Sequence, residues 1–255
     1  MIGRELQAIY IMWLRQMKRF VRYRSRIIAT FIQPLFFLFI LGSGLRNVTI
    51  PGMESSNYIE FFAPGVIAMS IMFSSMFTGV SVLWDKQFGF LQEVLVAPIS
   101  RLSIIVGRTI GGATTALIQG LIILAIVIGI GVPVSGIFGL LLTIVFMIII
   151  AFTAVGFGLI LASKMRDMQS FPLIMNLVIM PLLLVSSAFF PLKNLPYEAS
   201  LIAQFNPLFY MVDGLRGSLI GVDNVFPPLV DFIVILAICI VMMGLGSYFF
   251  SKSEV

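Results

Sequence analysis

The sequence predicts an all-α integral membrane protein with six transmembrane helices, and three observations predict it. Hydrophobic residues make up 60% of the 255 and charged residues 11%, with a mean hydropathy of +1.10, values that exclude an ordinary soluble domain. Six apolar runs each approach the roughly 20 residues that a helix needs to cross about 30 Å of hydrocarbon. Basic residues are segregated: of the 16 Lys and Arg, only Arg46, Lys193 and Arg216 fall on the far side of those runs. By the positive-inside rule both termini and the loop between the second and third runs are then cytoplasmic, in a multi-pass protein of the cell membrane.

In chain order, residues 3–26 carry seven basic side chains among Leu6, Ile9, Tyr10, Trp13, Leu14, Met17, Phe20 and Val21, which recur at three- and four-residue intervals. This is the pattern of an amphipathic helix in the plane of the interface, with anionic lipid as its simplest partner. A topology anchor with no further role has the same pattern. No short apolar core with a small-residue cleavage site marks a removable signal peptide here. The predicted spans are 27–45, 62–83, 109–129, 137–161, 170–188 and 230–250. No repeat or linker divides them, so residues 1–255 read as a single transmembrane domain.

On the outer side, residues 46–61 form a short polar loop and 131–136 a turn. The stretch 189–225 is too long for a turn and too apolar for a free loop. Pro196 and Pro207 each suit the first turn of a short helix, and Gly217 and Gly221 are expected to break the second one. Neither piece can span, which predicts a re-entrant helical hairpin between the fifth and sixth spans, its backbone satisfied within helices. Asp213 and Arg216, three residues apart, can pair on it, or they can simply face solvent.

Several chemistries are disfavoured. The chain has no histidine and one cysteine, Cys239, so it lacks the usual general base and the commonest zinc ligand, and a conventional metal site is not expected. No GxxxxGK[ST] phosphate loop is present, so ATP binding by this chain is not expected either. The spans hold no acid or base between their ends, Asp231 standing at the edge of the last one, which argues against a carrier driven by an ion gradient. The basic balance is concentrated beside the first span, which suits lipid rather than nucleic acid. Energy for any uphill transport must come from a partner.

The polar interval 84–108 offers that partner a surface. Phe88, Phe90, Leu91 and Leu95 can line one side of a short interfacial helix while Asp85, Gln92 and Glu93 face water, and Pro98 ends it. Gly107, Gly111 and Gly112 then leave a narrow surface for close helix packing at the start of the third span. A plain amphipathic loop would look the same on these features alone.

The run FGFLQEVLVAPISR followed by GRTIGG closely resembles the cytoplasmic loop of type-2 ATP-binding-cassette (ABC) exporter permeases, especially the daunorubicin-resistance and Nod-factor export branch. Ala63-Pro64-Gly65, the stretch Phe190-Pro191-Leu192-Lys193-Asn194-Leu195-Pro196, then Asn206-Pro207-Leu208 and Val212-Asp213-Gly214-Leu215-Arg216 match in the family's order. The resemblance covers essentially the whole chain. It implies a permease subunit that performs no covalent chemistry, pairs with a second and usually identical copy, and binds two ABC ATPase subunits that carry the ATP and Mg. It implies an ATPase-coupling helix at 88–101, with Phe88, Gly89, Phe90, Leu91, Glu93, Ala97, Pro98 and Arg101 as its positions. It also implies an outer hairpin that includes Pro191, Asn194, Pro196, Asn206, Pro207, Asp213 and Arg216. The pathway would run between the two copies along the first, second and fifth spans, where Gln33, Ser70, Ser74, Ser75, Thr78, Asn176, Ser186 and Ser187 are the polar candidates for lining or for helix contacts. The implied cargo is an amphipathic drug or lipid-like molecule, with a lipid-linked glycan as the alternative. A non-transporting membrane scaffold that recruits a cytosolic partner is the reading from another class.

Overall fold

The computed structural model describes residues 2–45, 57–89, 99–165, 167, 169–192 and 196–252. Among the described residues there are nine helices and no strand. These are α1 (Ile2–Arg22), α2 (Arg24–Gly44), α3 (Tyr58–Gln87), α4 (Arg101–Gly129), α5 (Gly136–Lys164), α6 (Ser170–Leu184), α7 (Tyr197–Gln204), α8 (Pro207–Leu219) and α9 (Pro228–Lys252). Four of them, α3, α4, α5 and α9, are long and apolar enough to cross a membrane; α6 and the Thr30–Gly44 part of α2 are shorter apolar helices.

Helix α3 is the axis of the bundle. It packs against α2, α4, α5 and α8, and it is buried along most of its length. At 30 residues it is about 45 Å long against about 30 Å of hydrocarbon, so its ends reach past the apolar layer. Its polar last turn, which holds Trp84, Asp85 and Lys86, had been expected in a loop. In the same way α4 starts at Arg101, capped by the Ser100 hydroxyl on the Ser103 N–H, rather than at residue 109. The expected loop 84–108 therefore shrinks to a connection between Gln87 and Arg101. Helix α9 runs along α5 with most of its surface exposed, as a helix facing lipid does.

Small residues set the closest approaches. A Cβ on Gly79 of α3 would lie 2.6 Å from the Gly158 carbonyl oxygen of α5 and 3.0 Å from Phe171 of α6, and one on Gly156 of α5 would lie 2.9 Å from the Met242 backbone of α9. Apolar side chains gain little by leaving lipid for a helix surface, so such close backbone packing supplies much of the association.

The region after α6 departs from expectation in two ways. The span expected at 170–188 ends at Leu184, because Ser187 takes a positive φ of 58° and turns the chain back. Gly217 does not break α8, which runs to Leu219; its missing side chain leaves room for Pro228 at 3.0 Å, while Gly221, with a φ of +83°, lies beyond the helix end. Pro207 occupies the first turn of α8 as expected, and Pro196 caps α7 from outside. Helix α7 is largely exposed, whereas α8 is buried among α3, α5 and α9.

Gly79→Val is expected to lower stability by about 1–3 kcal/mol, since a carbonyl oxygen cannot yield as a side-chain tip can. Gly129→Ala, with nothing within 4 Å of the added carbon, is the control. Unfolding in mixed detergent micelles reads both.

Candidate functional site

Two polar constructions stand at opposite ends of the bundle. The first is built around α1. Helix α1 lies in a groove along α4 that Gly107 and Gly111 create: a Cβ on Gly107 would lie 2.7 Å from Met12 Cβ and 2.8 Å from the Ile9 carbonyl oxygen, and one on Gly111 would lie 2.8 Å from Gln16 Cβ. Trp13 Nε1 adds a 3.3 Å hydrogen bond to Thr114 Oγ1. Gly112 faces the other way and receives Thr78 of α3.

At the N-terminal part of α1 the Glu5 carboxylate accepts from the Ser100 N–H at 3.2 Å, the Ser100 hydroxyl at 2.8 Å and the Ser103 hydroxyl at 2.5 Å. These bonds, that of Ser103 foremost, favour the ionised form and hold the Glu5 pKa below the usual glutamate value. At its other end Arg15 forms a two-pronged pair with Asp85 of α3, at 2.8 and 2.6 Å. Arg19 approaches the same carboxylate at 3.7 Å and Arg108 of α4 at 2.9 Å. Asp85, expected to face water, is buried instead because these three guanidinium groups converge on it. Arg108 nitrogens find no aligned hydrogen bond among the described residues, and its guanidinium lies 5.8 Å from the Phe250 ring of α9.

Helix α1 thus grips both feet of the connection between α3 and α4. Of the residues expected to couple to an ATPase, Phe88 is 73% exposed, Gly89 has a φ of +74°, and Arg101 is exposed and donates to the Ser251 carbonyl of α9 at 2.6 Å. Phe90, Leu91, Glu93, Ala97 and Pro98 lie outside the described residues.

The second construction surrounds Arg216, whose side chain is 1% exposed. Its guanidinium donates to the Ser187 carbonyl at 2.7 Å, the Ser187 hydroxyl at 3.3 Å and the Phe61 carbonyl at 3.4 Å, and it lies 3.9 Å from the Phe61 ring centre. Asp213 is 3.8 Å away and accepts from the backbone N–H groups of Val225 and Phe226. The pair expected at a shallow or solvent-facing position is therefore fully buried, where it ties α8 to α3, to the turn after α6 and to the segment before α9. Asn206 caps α8 through the Leu208 N–H and donates to the Leu182 carbonyl, while Tyr58 donates to the Phe189 carbonyl at 2.9 Å. Pro191 is buried, Pro196 exposed, and Asn194 outside the described residues. Asp231, in the first turn of α9, is wholly buried, and neither carboxylate oxygen has a hydrogen-bond partner among the described residues.

The polar candidates in the spans divide by position. Gln33 and Asn176 are exposed and line a groove of about 290 Å³ between α2, α3 and α6. Ser70, Ser74, Ser75, Thr78, Ser186 and Ser187 are buried; Ser75 donates to the Ala151 carbonyl and Ser186 to the Leu183 carbonyl. Residue-by-residue reading of the sequence singled out neither Glu5 nor Gln119. A lone polar residue in an apolar run does not announce its partner, and the Gln119 amide reaches Thr30 Oγ1 at 2.7 Å, 89 residues away in sequence.

A bundle of membrane-length helices with an amphipathic helix bound across one end defines a multi-pass membrane protein. The profile of the ABC-2 type transporter family matches residues 7–220, and the chain belongs to that family. It is 26% identical over 236 residues to the inner membrane transport permease YadH of Escherichia coli strain K12, covering 92% of this chain and 90% of the relative. It is 30% identical over 218 residues to the putative transport permease ycf38 of Pyropia yezoensis (83% and 73%), and 28% identical over 202 residues to nodulation protein J of Rhizobium leguminosarum bv. viciae (77% and 76%). It is a transmembrane transport permease of the ABC-2 type.

Arg216→Leu is expected to cost about 3–5 kcal/mol by leaving Asp213 buried without its counter-ion. A matched Arg216→Lys variant should recover only part of this, because an ammonium cannot reach the Ser187 and Phe61 oxygens together; micelle unfolding measures both. At the other end the Glu5 contact is stabilised by ionisation, so its contribution is complete above the unfolded glutamate pKa and disappears as pH falls through the lower folded value. Micelle unfolding should show this contribution unchanged around neutrality and lost only in acid, and Glu5→Gln should make the acid loss smaller.

Proposed function

We propose that this chain is the membrane-spanning subunit of an ATP-driven exporter, with α2 and α6 completing six crossings, both termini cytoplasmic, and α7 and α8 forming a re-entrant hairpin at the outer face. Two copies pair, and each binds one subunit of a separate ABC ATPase at the segment 88–101. That partner holds the ATP and Mg; this chain binds no cofactor and moves its cargo without covalent chemistry.

The observation that carries this reading is the double grip of α1 on the segment between α3 and α4. Glu5 holds Ser100 at one foot and Arg15 holds Asp85 at the other, at 2.8 and 2.6 Å. A displacement applied to this segment is therefore shared by α3, the axis of the bundle, and by α4. Closure of the partner pair on nucleotide would draw the segment, and the motion would reach the bundle through two helices at once. Such a cycle requires nucleotide to favour one arrangement of the complex over the other.

The cargo route supported best is the groove between α2, α3 and α6, which contains Gln33 and Asn176 among apolar side chains. A surface of that composition suits an amphipathic, lipid-like molecule.

A tagged chain isolated in mild detergent should bring down an ATPase subunit, and deletion of residues 88–101 should abolish that association. Glu93→Ala and Gly89→Pro should retain insertion while export per ATP hydrolysed falls at least several-fold; proline cannot adopt the positive φ at residue 89. Normal export by both variants, or the absence of any ATPase partner, would sink the reading and favour a scaffold.

A further inference from the structure

Helix α1 divides its surface three ways. Ile9, Met12 and Gln16 face the groove that Gly107 and Gly111 leave along α4. Arg15 and Arg19 turn toward Asp85 of α3. The remaining side is open: Leu6, Tyr10 and Val21 are each more than half exposed, and Lys18 and Arg22 are exposed beside them. Leu6, Tyr10, Leu14, Met17 and Val21 follow one another at intervals of three and four residues, so they form one apolar stripe. Lys18 and Arg22, four residues apart, share the strip next to it, with their Cβ atoms about 6 Å apart, close enough to bracket one phosphate.

The basic residues of α1 therefore fall into two groups. Arg15 and Arg19 are engaged at Asp85, although the sequence alone would count them toward lipid. Arg4, Lys18 and Arg22 make no ion pair among the described residues. The one acid of α1, Glu5, is held by Ser100 and Ser103 and does not offset them. An exposed basic pair beside an apolar stripe is the surface of a helix lying where water meets hydrocarbon.

The apolar surface does not stop at the end of α1. Only Tyr23 separates α1 from α2, on which Ile28, Ile32 and Phe36 stand four residues apart and are all more than half exposed. A surface that passes from an amphipathic helix into an apolar helix of the bundle suits a headgroup and its chains together. A soluble acidic protein would meet the two cations but leave the exposed apolar residues of α1 and α2 in water.

We propose that an acidic phospholipid docks on this side of α1, its phosphate between Lys18 and Arg22 and its chains against Leu14, Met17 and Val21. This goes beyond the transport reading and needs only a membrane. Through it, the helix that grips both feet of the segment between α3 and α4 becomes sensitive to the charge of the surrounding lipid.

The chain has two tryptophans, Trp13 on α1 and Trp84, whose ring centre lies 6.0 Å from the Arg19 guanidinium. Both report on lipid gathered beside α1. The test places the purified full-length chain in vesicles of phosphatidylcholine with a minority of phosphatidylglycerol. Tryptophan quenching is compared when bromine is carried by the phosphatidylglycerol and when it is carried by an equal amount of phosphatidylcholine, the overall composition being the same. Brominated phosphatidylglycerol should quench more strongly, and the difference should shrink as salt is raised. Lys18→Gln and Arg22→Gln, at exposed positions where exchange disturbs a fold little, should each lower the preference roughly fivefold. Lys18→Arg should keep it, and Arg4→Gln, about 21 Å away along the helix, should leave it nearly unchanged. Equal quenching by the two brominated lipids in the unmodified chain would overturn the proposal. So would equal losses from Arg4→Gln and Lys18→Gln, which describe a diffuse basic surface and not a docking site. Loss of the preference in the chain isolated with its ATPase would give this side of α1 to the protein partner and overturn it as well. The measurement uses neither nucleotide nor export, so its failure leaves the transport reading standing, and a failed pull-down leaves this measurement intact.

Discussion

One carboxylate holds the α1 end of this protein together. Asp85 is the acid toward which Arg15, Arg19 and Arg108 all turn, from α1 and α4, across the last turn of α3. Charges moved out of water are costly unless their partners are well placed, and a carboxylate buried among guanidinium groups recovers that cost only while the helices bearing them stay docked. Helix order at this end is therefore enforced electrostatically, whereas in the middle of the bundle it is enforced by backbone proximity at Gly79, Gly156 and Gly158. The amphipathic α1 belongs to the fold as much as to the interface: it fills a groove that exists only because residues 107 and 111 carry no side chain.

The two ends differ in how they are tied. Near α1, side chains reach across between helices, and several of them are partly exposed. Near α8, one guanidinium satisfies backbone carbonyls at Ser187 and Phe61 while Asp213 satisfies backbone N–H groups at Val225 and Phe226. Irregular chain buried in a protein must have its peptide groups satisfied there, and this pair does so for the turns on both sides of α8. The short apolar length of α6 follows from the same construction, since its chain must turn at Ser187 to present an oxygen to Arg216.

The apolar runs made the long helices legible, because about 20 uncharged residues in a row have few other uses. The family was legible in the segment from Phe88 to Gly112 and in the Asp213–Arg216 run. Helix ends were not: Trp84-Asp85-Lys86 and Arg101 through Arg108 are polar enough to pass for loop, and only the convergence of three helices reveals that Asp85 and Arg108 are interior. The small surface at Gly107 and Gly111 could be read from spacing, but not that α1 would occupy it. Asp213 and Arg216 were recognisable as a pair at helical spacing, yet their depth depends on α3 and on the turn after α6, far away in sequence. Gln119 looked like one polar residue in a span and gained meaning only beside Thr30.

The Arg216 knot also restricts how the far end can open. A guanidinium keeps its charge throughout the neutral range, so ordinary changes of pH do not release it from Phe61 and Ser187. Drawing α8 away from α3 into lipid would strand a charged guanidinium without its oxygen partners. Drawing it away while water enters exchanges those bonds for others of similar strength. An opening at that end is therefore a wet one, and the seal is a matter of keeping water out rather than of holding protein surfaces together.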